Sequence, residues 1–415
     1  MALSNWAGNV EFCAARIHRP GNLAQLQAVV AEAPAVRALG SGHSFNRIAD
    51  CSADLVLLTA MPPIRMLDAA AGTVTVDAGA RYGDVARWLH ARGYALHNLG
   101  SLPHISVGGA CATGTHGSGD GNGSLATAVS AIELVTASGE LVALSRAADP
   151  ATFEGAVVAL GALGILTSLT LDIAPAYQLR QCVFEGLEFD RLTDNIEAIL
   201  ASAYSVSVFT TWRAEDRQQV WCKGLLDEAM PEPGWLGTVP ADGPRHPIPG
   251  IDAANATEQL GVPGDWHRRL PHFRLDFMPS SGDELQSEYL LPRHHAAAAL
   301  VALDAIRDRI APLLLISEIR SIAADQLWLS PSYGRATVAL HFTWVNDEDA
   351  LRPVVAAVEA ILAAHDARPH WGKVFGGAAH SVAARYDRWE DFEGLMQAFD
   401  PDRKFRNDWM AALFG

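Results

Sequence analysis

The nine residues Arg37-Ala38-Leu39-Gly40-Ser41-Gly42-His43-Ser44-Phe45 constrain this 415-residue chain more than any other stretch. An apolar run with strand character, Val36 to Leu39, stops abruptly at Gly, Ser and Gly. Glycine adopts positive φ and lets backbone N–H groups approach a ligand closely. Successive N–H groups in such a turn make a concave anion site, which suits a pyrophosphate. His43 then stands at the rim, where a bound nucleotide would place its reactive ring. Two familiar phosphate turns are excluded. A dinucleotide fingerprint needs a third glycine where Phe45 stands, and a P-loop needs Gly-Lys-Ser/Thr, which is absent here.

A second stretch, Ser101 to Gly119, is also rich in Gly and Ser and carries no Asp, Glu, Lys or Arg. Its small residues and hydroxyls fit a second backbone cradle. Around the two stretches, periodicity predicts helices over Asn22–Ala33 and Tyr82–Gly93, with Val85, Trp88 and Leu89 inward. Strands are expected at Leu55–Leu58, Val74–Val76, Ala131–Thr136 and Glu140–Leu144, the last two joined by a Ser138-Gly139 turn. A helix over Phe153–Leu163, capped by Gly164, leads into an alternating strand, Ile165–Ile173. Pro175 marks a candidate domain boundary. Beyond it come strands at Val206–Arg213 and Gln219–Lys223. A long surface loop is expected near 229–250, and helices at His294–Arg309 and Leu351–His365.

Three later segments alternate strictly. Gln286 and Glu288 share one strand face, as do Glu318 and Arg320, and His341 and Thr343. The opposite faces are apolar and expected against the helices at 294–309 and 351–365. If the three strands are neighbours, their polar faces form a floor of donors and acceptors, which the hydroxyls of a polyol need when they lose water. The alternative is three solvated outer faces of an antiparallel sheet. Lys373, among Trp371, Val374 and Phe375, is a candidate buried cation.

Composition narrows the partners. The formal net charge of −16 argues against nucleic acid and against an anionic membrane surface. It leaves room for a neutral substrate. Cys13, Cys51, Cys111, Cys182 and Cys222 are odd in number and form no Cys-x-x-Cys. That argues against a disulfide framework and a zinc site, and no metal is expected. No signal peptide or spanning segment is read, so a cytoplasmic protein is expected, with monomer as the default state.

The two glycine-rich stretches resemble the FAD-binding domain of the vanillyl-alcohol-oxidase-type FAD-linked oxidases, and among these the alditol (xylitol or sorbitol) oxidases. The likeness runs nearly end to end, through Arg269-Leu-Pro-His-Phe273, Trp328-Leu-Ser-Pro-Ser-Tyr333 and the tail Pro401-Asp-Arg-Lys-Phe405. It implies an α+β, two-domain PCMH-type fold. An FAD-binding domain would span 1–176 and be completed by 372–415. A substrate-binding cap at 177–371 would hold a large antiparallel sheet flanked by helices.

The resemblance also implies site residues. FAD would be carried covalently, through its 8α carbon, on His43, and cradled by Gly40, Ser41, Gly42 and Ser44. From the second stretch it would meet Ser101, Ser106, Gly109, Ala110, Cys111, Ala112 and His116, and further on the backbone at Ile165 and the side chain of His370. Leu102 stands where bicovalent relatives carry Cys, so one bond is expected. Arg320, Lys373 and Glu318 would be catalytic. Ser101, Gln286, His341 and Thr343 would join them around the substrate. The implied reaction takes the terminal CH2OH of an alditol to the aldose, reducing O2 to hydrogen peroxide. Gly100 would leave oxygen room at the flavin. Rival readings are a sugar-lactone oxidase and a sugar-binding or redox-sensing protein without turnover.

Overall fold

A computed structural model describes residues 3–213, 218–277, 282, 284–377 and 379–415, and its strands form four sheets. The first 175 residues build three small ones. Arg16–His18, Asp54–Val56 and Val36–Ala38 pair in parallel, with Asp54–Val56 in the middle. Five antiparallel strands follow the spatial order Arg65–Asp68, Thr73–Asp77, Ile165–Asp172, Val129–Val135, Leu141–Ser145. Gly139, at φ 84°, makes the expected hairpin turn between the last two. Tyr94–Ala95 pairs with Ala174–Pro175.

Local chemistry explains the helices here. The Asn22 side chain caps Leu23–Glu32 by accepting from Gln25 N, and Leu26 and Val30 are its buried face. Helix Tyr82–His90 buries Val85 and Leu89. Trp88, expected inward, is only half-buried, with the Arg92 guanidinium 3.9 Å over its ring.

The helix expected over Phe153–Leu163 is confined to Pro150–Ala156. Beyond it, Leu160 (φ 55°) and Gly161 (φ 70°) leave helical space and turn their carbonyls to the buried Arg37. Arg37 Nη2 donates to Leu160 O at 2.7 Å and Nη1 to Gly161 O at 3.0 Å. A buried cation must be paired, and here the backbone is bent to pair it. Gly164 is not a helix cap. A Cβ there would lie 2.5 Å from Val135 O, so the close approach of two strands demands glycine.

The second half builds one nine-stranded sheet. Its path is Val239–Pro240, Gln178–Leu187, Gln218–Leu225, Ser205–Thr210, Leu314–Ile322, Thr337–Val345, Glu284–Pro292, Arg368–Pro369, and Gly264–Asp265 pairs with Gln178–Leu187 to one side. The pairs are antiparallel. Leu285, Tyr289, Ile319, Leu340, Phe342 and Trp344 point to one face and pack in a single core with helices Ala296–Asp304 and Glu348–Ala363. The helix expected over His294–Arg309 is broken at Ala305–Ile306 and resumes as Arg307–Ile310. Within 229–250 regular structure is limited to Trp235–Gly237 and Val239–Pro240, but His246 is buried rather than exposed.

The C-terminal tail returns to the first half. Lys404 Nζ donates to Val30 O, Ala31 O and Ala137 O at 2.8–3.0 Å, and Phe405 O accepts from Arg37 Nη1 at 2.8 Å. All five cysteines are free. Among the described residues, no helix is long and apolar enough to cross a membrane.

Candidate active site

One cavity of about 690 Å³ lies between the glycine-rich turns and the polar face of the large sheet. That is in the upper half of the roughly 300–1,000 Å³ usual for small-molecule sites. On one side stand Gly40 to Ser44, Ser106, Gly108 to Ala110 and Ala112. The two turns grip each other: Ser41 N donates to Ser106 Oγ at 3.4 Å, and Ser106 N to Ser41 Oγ at 3.2 Å. A Cβ on Gly40 would come 2.3 Å from Ser106 Oγ, so any larger residue must displace the hydroxyl that links the two turns. Gly42 sits at φ 71°.

The first turn is also bolted to the far half of the chain. Phe45 N donates to Gly372 O at 2.7 Å, and Asn46 Nδ2 to Trp371 O and Lys373 O at 2.8 Å. These bonds place Lys373 at the same rim as His43. The His43 ring lies against Trp6, centroids 5.2 Å apart. Burial, then His104, Lys373 and Arg81, push its pKa down to about 4, so the imidazole is uncharged at neutral pH.

The floor is the face that alternation singled out. Leu314–Ile322, Thr337–Val345 and Glu284–Pro292 are adjacent strands, and their register aligns Glu318, His341 and Glu288 in one row and Gln286 opposite Thr343. These residues and Arg320 all line the cavity and are at most 9% exposed, which excludes a solvated outer face.

Glu288, 2% exposed, is the hub. Arg320 Nη2 donates to its Oε1 at 2.5 Å, while His116 Nε2, His341 Nδ1 and Lys373 Nζ lie 3.5, 3.6 and 3.9 Å from its oxygens. Burial opposes its charge, but Arg320 and the two histidines hold its carboxyl well below the usual range. Arg320 Nη1 reaches across to Ser101 Oγ at 3.3 Å. Lys373 Nζ donates to Gln286 Oε1, and burial, with Arg320 nearby, lowers its pKa to about 8. His341 Nε2 contacts Thr343 Oγ1 at 3.1 Å. Three buried nitrogens, His116 Nε2, His341 Nδ1 and Arg320 Nε, have no hydrogen-bond partner. Each instead lies 3.5–3.6 Å from a carboxylate oxygen of Glu288 or Glu318, so the acids of the floor compensate them.

Beside the floor, on the same face of the sheet, runs a supporting chain whose His272 also lines the cavity. Lys223, fully buried, donates to Leu270 O at 2.5 Å and meets His272 Nδ1 at 3.1 Å. His272 Nε2 donates to Glu318 Oε1 at 2.7 Å. Glu318 is thereby held ionised: burial resists the charge, and Arg320 and His272 override it.

Most of the expected site residues meet in this cavity, His116, His370 and Ser101 included. Two stand back from it. The Cys111 thiol points into the core, 3.2 Å from Tyr82 Oη, and burial pushes its pKa up to about 12. Ile165 is turned into a small core with Val36 and Phe405, and its neighbours Gly164 and Leu166 line the cavity instead. His104 meets Leu275 O at 2.8 Å. Sequence reasoning placed Glu288 on the correct face without giving it a role. It passed over His272 inside the quoted Arg-Leu-Pro-His-Phe run, and over Lys223.

Comparison with known proteins agrees with the geometry. Residues 14–145 match the model of the FAD binding domain family, and residues 281–413 that of D-arabinono-1,4-lactone oxidase. An alditol oxidase of Streptomyces sp. is 51% identical over 99% of both chains. The L-gulono-1,4-lactone dehydrogenase of Mycobacterium tuberculosis is 30% identical, again over 99% of both. Among solved structures, cholesterol oxidase from B. sterolicum superposes with a TM-score of 0.80 at 16% identity, covering 100% of this chain and 96% of its own. Chitooligosaccharide oxidase gives 0.75 at 15%, covering 97% and 93%. These two speak to the fold alone. With half its residues identical to an alditol oxidase from end to end, the chain belongs to the vanillyl-alcohol-oxidase-type family of FAD-linked oxidases, in the branch that holds alditol oxidase.

Proposed function

We propose that this protein is an FAD-dependent oxidase that converts the terminal CH2OH of an alditol, such as xylitol or sorbitol, to the aldose, with O2 as acceptor. The observation that carries the proposal is the buried row Glu318–His341–Glu288, flanked by Arg320 and Lys373, facing the glycine turns across one cavity. The identity to alditol oxidase supports it.

The residues fit FAD. Gly40, Ser41, Gly42 and Ser44, with Ser106, Gly109, Ala110 and Ala112, offer a charge-free backbone cradle for a pyrophosphate. His116 and His370, both uncharged because burial lowers their pKa, would line the site of the ring with Ser101. When bound, FAD supplies the two-electron acceptor and passes the electrons to O2, giving hydrogen peroxide. The chain's own groups do the rest. Arg320 and Lys373 would lie beside the reacting hydroxyl and stabilise the negative charge on its oxygen as its proton leaves, to end with the transferred hydride in hydrogen peroxide. Glu318, Thr343, His341 and Gln286 re-pair the remaining hydroxyls and fix the chain of carbons. Glu288 holds Arg320 in place.

The His43 ring, uncharged and at the cavity rim, is the attachment point for the flavin through one bond. Acid precipitation tests this: yellow colour stays in the pellet of the parent protein and moves to the supernatant with His43→Ala. Residues 1–176 with 372–415 form the FAD-binding unit, and 177–371, which contain the nine-stranded sheet, form the cap. The five free thiols suit a reducing, cytoplasmic setting. A monomer is proposed, and sedimentation checks it.

A second reading is a sugar-lactone oxidase, favoured by the lactone-oxidase match over 281–413, which includes much of the floor. Peroxide production under air decides between them. Xylitol and sorbitol turn over and a γ-lactone does not; the reverse order overturns the alditol assignment.

A further inference from the structure

His90, Asp265 and His267 form a polar cluster outside the cavity. His90 ends helix Tyr82–His90 in the first half of the chain. Asp265 ends the short strand Gly264–Asp265, which pairs with Gln178–Leu187 beside the large sheet. His267 lies in the turn Trp266–Arg268 that follows. Between the last two, Trp266 is fully buried and anchors the segment, so Asp265 and His267 are presented together.

One nitrogen from each ring and one Asp265 oxygen all lie within 4.8 Å of one another. His90 Nε2 is 3.3 Å from Asp265 Oδ2, and the two imidazole centroids are 4.7 Å apart. That contact pairs His90 with Asp265, but it leaves His267 out, whose Nδ1 is buried without a partner. Zinc binds nitrogen and carboxylate oxygen at about 2.0–2.2 Å, so two tetrahedral ligand atoms stand about 3.3 Å apart. The His90–Asp265 pair already has that spacing, and a ring nitrogen of His267 lies within 4.8 Å of both. Two imidazoles and one carboxylate suit borderline transition cations, whereas calcium and magnesium prefer oxygen alone. The cations nearby are Arg268 and Arg87, the latter held by Asp276 at 3.0 Å. The site thus selects an ion that bonds imidazole rather than one held by charge.

We propose that His90, Asp265 and His267 bind a divalent transition cation of the zinc type, with water completing its coordination. The bound ion ties helix Tyr82–His90 to the edge of the nine-stranded sheet. Both tied elements lead to the active cavity. Arg81, next to the helix start, lines it, and five residues beyond His267 comes His272, which holds Glu318. Cysteine spacing gave no hint of such a site, since none of its ligands is a cysteine and they are far apart in the chain.

The test uses untagged, flavin-loaded protein stripped with chelator and dialysed. Titration with Zn2+ should show one equivalent that His90→Gln/His267→Gln lacks or binds at least about 100-fold more weakly. Co2+ in that equivalent should give the visible bands of a low-symmetry site, and Zn2+ should raise the thermal midpoint of the parent by roughly 2–4 °C. The double variant should keep its flavin and turnover. His267 is half-exposed, so the single variant His267→Gln provides the same comparison if the double variant fails to fold. Equal zinc binding by parent and variant, or none by the parent, overturns the proposal.

Discussion

The wall made by Gly40–Ser44 and Ser106–Ala112 offers a ligand almost only backbone, whereas the floor made by three antiparallel strands offers almost only side chains. In the wall, closeness is the design: a single added Cβ at Gly40 would strike Ser106. In the floor, charge balance is the design: two carboxylates, a guanidinium and an ammonium are buried together, and Arg320 with the histidines holds both carboxylates ionised. The first kind of surface recognises an anion by geometry and depends on what is absent. The second recognises neutral hydroxyls and depends on the identity of each group. A change in the wall should therefore cost cofactor, and a change in the floor should cost turnover.

Gly40→Val is the strongest test of that division. It should abolish most flavin binding, seen as lost visible absorbance per chain, and activity should fall with it. Thr343→Val, by contrast, should keep its full flavin and raise KM for xylitol about tenfold. Flavin loss from the second variant and not the first would break the comparison.

Arg320→Ala comes next. It removes the cation nearest the row and leaves Glu288 buried without its main partner. We expect kcat/KM to drop about 10³-fold. Urea unfolding should show a loss of about 3–5 kcal/mol, the usual cost of breaking a buried pair. A variant within tenfold of the parent would remove Arg320 from the reaction.

Lys373 gives a smaller effect with a definite sign. Its lowered pKa means that the ammonium is present below about 8 and is lost above it. If the cation is needed, kcat/KM falls as pH rises through about 8. Lys373→Arg, still charged there, should move that fall to higher pH. Lys373→Met should lower kcat/KM about 10²-fold and erase the alkaline limb. A parent profile that rises through pH 8 would assign the neutral amine instead.

Gly100→Ala should have the smallest effect and touches oxygen alone. A Cβ there meets Ile105 at 3.5 Å and His116 O at 3.9 Å, ordinary contacts, so the fold accepts it. Reoxidation by O2 should slow about tenfold, equivalent to ~1.4 kcal/mol, with turnover of an artificial dye unchanged. Equal slowing with both acceptors would show that Gly100 serves the substrate.

Lys223, His272 and Glu318 show why part of the site was not legible in advance. Each lies on a different segment, and only the fold of 264–277 over the polar face of the sheet lines them up. Cys111 and Ile165 are the converse: small or apolar residues within recognisable stretches whose side chains the core claims. Arg37 likewise overrode the local helical pattern at Leu160 and Gly161 by demanding their carbonyls.

The linear chain decided what a period of two residues can decide. Gln286 with Glu288, Glu318 with Arg320, and His341 with Thr343 had to share faces whichever strands they joined, because side chains alternate in any pleated strand. It also decided where backbone would meet an anion, since glycine at 40 lets the two turns close without displacing the Ser106 hydroxyl. Adjacency was left to the tertiary structure: Glu318 beside His341 beside Glu288, and His90 beside Asp265. Those pairings join distant segments, and their stability comes from burying both partners at once, which no local pattern records.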